Sequence, residues 1–407
     1  MTEPAGGEDA DRPWAPPFIS RVRLTNYKSI ADCDVRLGPL TLLVGPNGSG
    51  KSNFLDALAL VARALETTPN EAIDERGGMP EIARRVPSPT DSFSVGVEVV
   101  LPWGAKAQAS AHASYEFEVG RVPGGGPSAF EIINEACELR RGDQAWRFRA
   151  RHGQVLDETR TPQAARVPPD RLYLAFAGTQ IFFEPLYRRL QDMCFYNFNL
   201  EVLRQPQQRP HEAILDQRGE HLADVIGALA EEGSGYKERV DAYLRAIVPE
   251  AVGIDRWFVG PYATVMLRSM AGLGGRDVVF GPDGMSDGTI RAAAVLAALF
   301  QPATRDGRVS LVGIEEPEIA LHPAAAGVLF DALTEASEHV QVLATTQSAD
   351  LLDRDDLDVS IIRPVVMRDG LTVIGEVDDA SREIVEKKLY TLGELMRGSQ
   401  LAPKPPR

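Results

Sequence analysis

Of the 407 residues only three are cysteine, Cys33, Cys137 and Cys194. They form no C-x-x-C pair and no metal knuckle, which excludes a disulfide-stapled scaffold and predicts a reducing compartment. Long apolar runs are missing too. The longest, "AAAVLAALF" at 292–300, is half of the ~18 residues that a membrane span needs. The acidic, Pro-rich opening "MTEPAGGEDADRPWAPP" has no positive stretch leading into an apolar one, so it reads as a disordered leader over 1–17, not a signal peptide. These absences predict a cytoplasmic protein with no membrane partner. Positive charge is in deficit: 43 Lys and Arg face 58 Asp and Glu, for a formal net charge of −15. That disfavours a surface coated throughout in nucleic acid, while leaving local basic patches open. Neither an internal repeat nor a sustained heptad pattern is present.

What is there is a chain long enough for one large domain or two to three lobes. Residues 18–45 read as three strands, the last of them, "LTLLVG", a continuous apolar run of the kind buried on both faces. Phe54, Leu58, Val61 and Leu65 then fall at helical spacing. Residues 67–90 read as irregular, and 91–153 as an antiparallel sheet inserted after the first helix. "RLYLAF" reads as a strand, followed by helices over "EPLYRRLQDMCF", "HLADVIGALAEE" and "YKERVDAYLRAIV". Two strands are expected at 255–268, a helix at 289–300, and a β-α-β unit over "VSLVGI", 323–336 and "VQVLATT". A strand pair at 358–376, a helix over 381–396 and a loose tail finish the pattern. The expected division is a P-loop lobe with a β insert at 18–165, a helical lobe at 166–305, the remaining ATPase core at 306–397, and a loose 398–407.

"LLVGPNGSGKSNFLDAL" contains Gly45-x4-Gly50-Lys51-Ser52, between a buried strand and an amphipathic helix. A triphosphate carries several negative charges. Backbone N–H groups of a glycine-rich turn and the positive end of a helix surround it without bulky side chains intervening. The expected ATP-binding segment is Gly45, Pro46, Asn47, Gly48, Ser49, Gly50, Lys51, Ser52 and Asn53. Lys51 is expected on the β- and γ-phosphates and Ser52 on Mg2+. With such a loop present, "LVGIEEPE" becomes legible. Adjacent carboxylates at a strand end repel unless a cation compensates. The loop class implies Glu315 as the metal-side acid and Glu316 as the general base. A solvated acidic turn before a helix would also carry such acids.

In order, "RLTNYKSI", "GPNGSGKSN", "MSDGTIR", "IEEPEIALHP" and "TTQSADLLD" resemble the ABC-type ATPase family that includes the SMC and RecF repair proteins and the OLD-like ATPases. The nearest resemblance within it is to stand-alone AAA-like ATPases common in bacteria. It implies an α/β P-loop NTPase with an ABC-type ATPase head, an antiparallel β lobe and a helical signature lobe. "MSDGT" matches the signature motif, so Ser286 and Gly288 are implied to contact the γ-phosphate held by a second subunit. "ALHP", with His322, matches the loop after the catalytic acid. In "TTQS" Gln347 stands where the family usually has His, and Glu315 where Asp is usual. Gln180, after the expected strand "RLYLAFAGTQ", fits the glutamine that senses Mg2+, or else an ordinary surface loop. No zinc-hook cysteine pair is present, and about 55 residues follow "TTQSADLLD", too few for an OLD-type nuclease domain.

"RRGDQAWRFRARHG" (140–153) interleaves arginines with Trp146 and Phe148, as single-strand binders do. Strand alternation gives the plainer account, a half-buried strand with Trp146, Phe148 and Ala150 on one face and Arg147, Arg149 and Arg151 on a solvated one. The function expected overall is a nucleotide-driven switch: a homodimer, or a higher oligomer, closing on ATP and Mg2+. It would act in DNA maintenance or antiviral defence, with a separate effector or nuclease polypeptide and with DNA as a further partner. The alternatives are an ATP-occupancy sensor that hydrolyses slowly, and the ATPase subunit of a membrane transporter.

Overall fold

The computed structural model describes residues 18–404 apart from 86, 104–108, 123, 125, 127–128, 160–165, 210–212, 271–277 and 355–356. The expected leader at 1–17 lies outside them. The chain opens with β1 (Ile19–Tyr27), β2 (Ile30–Arg36) and β3 (Leu40–Val44), as its apolar pattern predicts. The glycine-rich turn leads into α1 (Lys51–Glu66), in which Phe54, Leu58, Val61 and Leu65 are all buried. The stretch read as irregular contains α2 (Pro69–Asp74) and α3 (Met79–Ile82). Both carry Pro in the first two positions, where its missing N–H leaves no bond unmade. Then come β4 (Ser92–Trp103), β5 (Ala109–Arg121), β6 (Phe130–Arg141), β7 (Gln144–Arg151) and β8 (Gln154–Glu158).

The five strands do not form a separate insert. They extend β1 and β2 into one seven-stranded antiparallel sheet, ordered β2-β1-β4-β5-β6-β7-β8. Along β7, Trp146, Phe148 and Ala150 are buried while Arg147, Arg149 and Arg151 are exposed. The arginine stripe is therefore the solvated face of a half-buried strand.

The next segment is α4 (Leu174–Ala177), α5 (Glu184–Gln191), β9 (Met193–Tyr196), α6 (Leu200–Arg204), β10 (Gln207–Gln208), α7 (Leu222–Glu232) and α8 (Tyr236–Ile247). Two expectations fail here. "RLYLAF" is not a strand: the buried Glu135 carboxylate accepts the backbone N–H groups of Tyr173 and Leu174 and so starts a short helix. "MCFY" is not the end of a helix but strand β9, so the ATPase sheet reaches into the segment read as a helical lobe from 166. A small sheet, β10-β12-β11 with β13 also on β12, is built from β11 (Ala251–Val259), β12 (Tyr262–Ser269) and β13 (Val278–Phe280).

The last third holds α9 (Asp287–Phe300), α10 (Pro302–Arg305), β14 (Leu311–Glu315), α11 (Ala326–Ala336) and β15 (Gln341–Thr346). It closes with β16 (Ile362–Arg368), β17 (Leu371–Ile374), α12 (Asp379–Glu386) and α13 (Leu392–Arg397). The helix expected over 381–396 is two helices, parted where Lys388 takes φ 54°. The tail read as loose is docked over its described part: Leu401 is buried, Pro403 bridges to Val377, and Lys404 Nζ reaches Asp379 at 2.8 Å.

The second large sheet runs β17-β16-β3-β15-β14-β9, parallel from β16 to β9. It divides two cores. Leu43, Leu311, Leu343 and Val365 join the core shared with α1 and the antiparallel sheet. Leu42, Val44, Val312, Ile314, Val342 and Ala344 join the core shared with α9 and α11.

Candidate functional site

In the parallel sheet Val44 stands opposite Thr346, Thr345 opposite Glu315, and Ile314 opposite Tyr196. The residues that follow these strands therefore gather along one edge, where open α/β sheets bind ligands. That edge carries the 45–50 loop, Glu316, Gln347 and Asn197.

Within the loop, Gly48 and Gly50 take φ 74° and 99°, a left-handed conformation that suits glycine. Gly45 and Gly50 also leave no room for a side chain. A Cβ at Gly45 would lie 2.1 Å from the Val365 carbonyl, and one at Gly50 would lie 2.0 Å from Thr372 Oγ1. Pro46, Asn47 and Gly48 form the exposed rim, and Ser49 is buried. Gly50 caps the 16-residue α1 with no side-chain hydrogen bond, leaving first-turn N–H groups for an anion. Lys51, 4% exposed, lies back on the loop and donates to the Gly45 and Pro46 carbonyls at 2.8 and 3.0 Å. Burial lowers its pKa, opposed by Glu316, Glu318 and Glu315. An incoming phosphate would take over the donors that the two carbonyls now hold.

Strand β17 braces this loop in a way the motif did not reveal. Asn53 Nδ2 donates to Ser29 Oγ at 2.7 Å, Ser29 meets Thr372 Oγ1 at 2.6 Å, and Thr372 donates to the Ser49 carbonyl at 2.8 Å.

Ser52 and Glu315, 263 positions apart, meet directly: Ser52 Oγ donates to Glu315 Oε2 at 2.9 Å. Burial raises the Glu315 carboxyl above the usual carboxylate range, with Ser52 opposing. A hydroxyl and a carboxylate whose charge is poorly solvated are hard oxygen ligands that would fit a Mg2+ ion, which would offset that charge. Glu316 follows with φ 43°, its N–H on the Thr345 hydroxyl at 3.1 Å, and its Oε2 accepts from Gln347 Nε2 at 3.0 Å. The structure thus brings Glu316 and Gln347 together, and their sidedness follows from the Glu315–Thr345 pairing.

Ser286 caps α9, its Oγ accepting the Thr289 N–H at 3.1 Å. Gly288 packs on the loop after Glu316, where a Cβ would lie 2.3 Å from the Ala320 carbonyl. Among the described residues no hydrogen bond joins 286–288 to 45–53. Arg204 fixes the turn before α9, donating to the Pro282 and Met285 carbonyls and to Asp287 Oδ1 at 2.7 Å. His322 turns onto its own chain, accepting from the Ala324 N–H at 3.2 Å.

Gln180 does not belong to this edge. Its neighbour Gly178 lies against the Tyr187 ring, and Tyr187 donates to the Leu65 carbonyl at the far end of α1. With about 1.5 Å of rise per residue, that end is roughly 20 Å from Lys51. The residue that does follow the strand beside β14 is Asn197, exposed at the same edge. Only recognition of the four-residue β9 could have pointed to it.

Two family models match the chain: one described as "AAA domain, putative AbiEii toxin, Type IV TA system" over residues 200–353, the other as "AAA ATPase domain" over 18–83. An OLD nuclease of Thermus scotoductus is 46% identical over 44 residues, 11% of this chain and 8% of that protein. A DNA replication and repair protein RecF of Magnetococcus marinus is 40% identical over 62 residues, 14% of this chain and 16% of that protein. The chain thus aligns with less than a fifth of these relatives' length. A crystal structure of an Smc head bound to the C-winged helix domain of ScpA superposes with a TM-score of 0.54 at 13% identity, covering 90% of this chain and all of that one. A second Smc head, from Pyrococcus furiosus, gives 0.53 at 12% identity over 92% of this chain and all of that one. The family models and the short relatives support an ATPase like those of the ABC, SMC, RecF and OLD group, and the Smc heads share its fold.

Proposed function

We propose that this protein hydrolyses ATP and uses the nucleotide to close and open a dimer. The observation that carries the reading is the 2.9 Å hydrogen bond between Ser52 and Glu315, which joins the loop–helix junction to the end of β14. Residues 45–53 hold the triphosphate, Lys51 lies on its β- and γ-phosphates, and Ser52 with Glu315 hold Mg2+. The ion neutralises phosphate charge when bound. Glu316 takes a proton from a water molecule as its oxygen bonds to the γ-phosphorus and the bond to the bridging oxygen breaks, giving ADP and inorganic phosphate. Ser286 and Gly288 complete the site of a second copy, a reading supported by the lack, among the described residues, of a hydrogen bond between 286–288 and their own 45–53 loop. The units of this machine are the β lobe and P-loop, the helical lobe ending in α9, and the segment carrying Glu315, Glu316 and Gln347. The relatives' names, an OLD nuclease and a DNA replication and repair protein, favour DNA maintenance; a cytoplasmic location, defence against foreign DNA as a variant and a separate effector polypeptide as partner belong to the same proposal.

Glu316→Gln tests the reading. It is expected to keep ATP affinity by calorimetry, to lose turnover by about 10²-fold or more, the scale for a positioned base, and to accumulate an ATP-bound dimer in light scattering. Turnover at the wild-type rate would reject Glu316 as the base.

A further inference from the structure

The third acid of "EEPE", Glu318, has no role in the reading above. Its Oε1 accepts two hydrogen bonds, from the Thr346 hydroxyl and from the Gln347 N–H at 3.3 Å. Its Oε2 is buried with no hydrogen-bond partner. A buried oxygen left without a partner loses the hydrogen bonds that water gave it, so Glu318 is held at a cost. Burial also raises its carboxyl above the usual carboxylate range. Both of its donors belong to the two residues that end β15 and begin the next loop. The second of these, Gln347, is exposed, and its side chain would otherwise sample several rotamers. Instead its Nε2 donates to Glu316 Oε2 at 3.0 Å. The route therefore runs from the Glu318 carboxylate through the Thr346 hydroxyl and Gln347 backbone to the Gln347 amide, and from there to Glu316.

We propose that Glu318 is a positioning residue for hydrolysis: it anchors the 346–347 turn so that the Gln347 amide holds Glu316 by one oxygen, leaving the other free to receive the proton of the attacking water. The proposal rests on Glu316 being the base. A misplacement of a catalytic group by about 1 Å lowers rates by up to about 10²-fold, so a loose Gln347 carries a kinetic penalty without a binding one.

The experiment measures kcat, KM and ATP affinity by calorimetry in Glu318→Ala, Glu318→Gln, Gln347→Ala and the double variant Glu318→Ala/Gln347→Ala. Glu318→Ala is expected to lower kcat by about tenfold or more with ATP affinity kept, which also reports that the protein is folded. Glu318→Gln, which keeps an accepting oxygen, is expected to recover most of that loss. The double variant is expected to be no slower than Gln347→Ala alone, because the two residues act in series. Full kcat in Glu318→Ala, a Gln variant as slow as the Ala variant, multiplied losses in the double variant, or lost ATP affinity would each overturn the proposal. Glu316→Gln runs as the control. If it hydrolyses ATP like wild type, the base assignment has failed; if it is inactive while Glu318→Ala is fast, only the role of Glu318 falls.

Discussion

The two large sheets solve the same burial problem in opposite ways. In the parallel sheet, β3 and β15 are buried at every position, because Leu42 and Val44 face one core and Leu43 the other. In the antiparallel sheet, β7 alternates buried Trp146, Phe148 and Ala150 with exposed arginines. The central strands of the first sheet have no wet face, so their ends are where function can reach solvent, and all of its parallel strands end on one edge. The second has a wet face and a core face, and its sites hold the fold together. Chemistry belongs to the edge of one sheet and stability to the inner face of the other.

That contrast can be broken most directly at Lys51. Lys51→Ala is expected to abolish ATP binding in calorimetry, since it removes the mobile cation for the β- and γ-phosphates, while the melting temperature stays close to wild type. Retained affinity would detach the loop from nucleotide binding. The converse substitution is Phe148→Ala. Phe148 is fully buried and meets Tyr173 and Phe183 edge-on at 5.0 and 5.4 Å. Its loss is expected to cost about 3–5 kcal/mol in chemical denaturation, with ATP affinity of the folded protein intact. Loss of ATP affinity in protein that is still folded would show that the two sheets are coupled.

Glu135 sharpens the comparison with pH. Its carboxylate is buried under the antiparallel sheet and accepts from the Tyr115 hydroxyl at 3.0 Å and the Leu174 N–H at 2.8 Å, and burial pushes its pKa from 4.5 up to about 7. Between those values the folded protein holds a proton that the unfolded chain has released. Stability contributed by this group is therefore full below about 4.5 and falls as pH rises towards about 7, by roughly 3 kcal/mol at most. Glu135→Gln removes the titration, and melting temperature recorded across that window is expected to flatten. An unchanged slope would assign it to other groups. The smallest effect is expected on the wet face: Arg149→Ala should shift stability by no more than about 0.5 kcal/mol and leave ATP affinity unaltered. A larger shift in melting would mean that the arginine face is packed against something.

The contrast also explains what could be read before folding. Continuous apolar runs such as "LTLLV" carry their own signal, and the 45–53 loop is local in sequence, so the placing of that loop, Glu315 and Glu316 at strand ends is legible in the sequence. Strand β9 is only four residues long and follows an amphipathic helix, so its place beside β14 is set by tertiary pairing alone. The short α4 owes its start to Glu135, 38 positions upstream of Tyr173. Gln180 was misplaced because both signals were missing. Glu318 went unassigned for a related reason: its partners Thr346 and Gln347 are 28 and 29 positions away.

One contact, small in area, joins these parts. Gly288 has no space for even a methyl group against the Ala320 carbonyl, and Ala320 itself sits at φ 66°. Close-packed joints of this kind transmit displacement instead of absorbing it. The loop that carries Glu316 and the first turn of α9 are thus the two ends of a stiff lever, with Arg204 pinning the turn beside it. In the proposed switch, a shift at the acid end would have little slack in which to die out, and would reach Ser286 as a change in the angle that this surface presents.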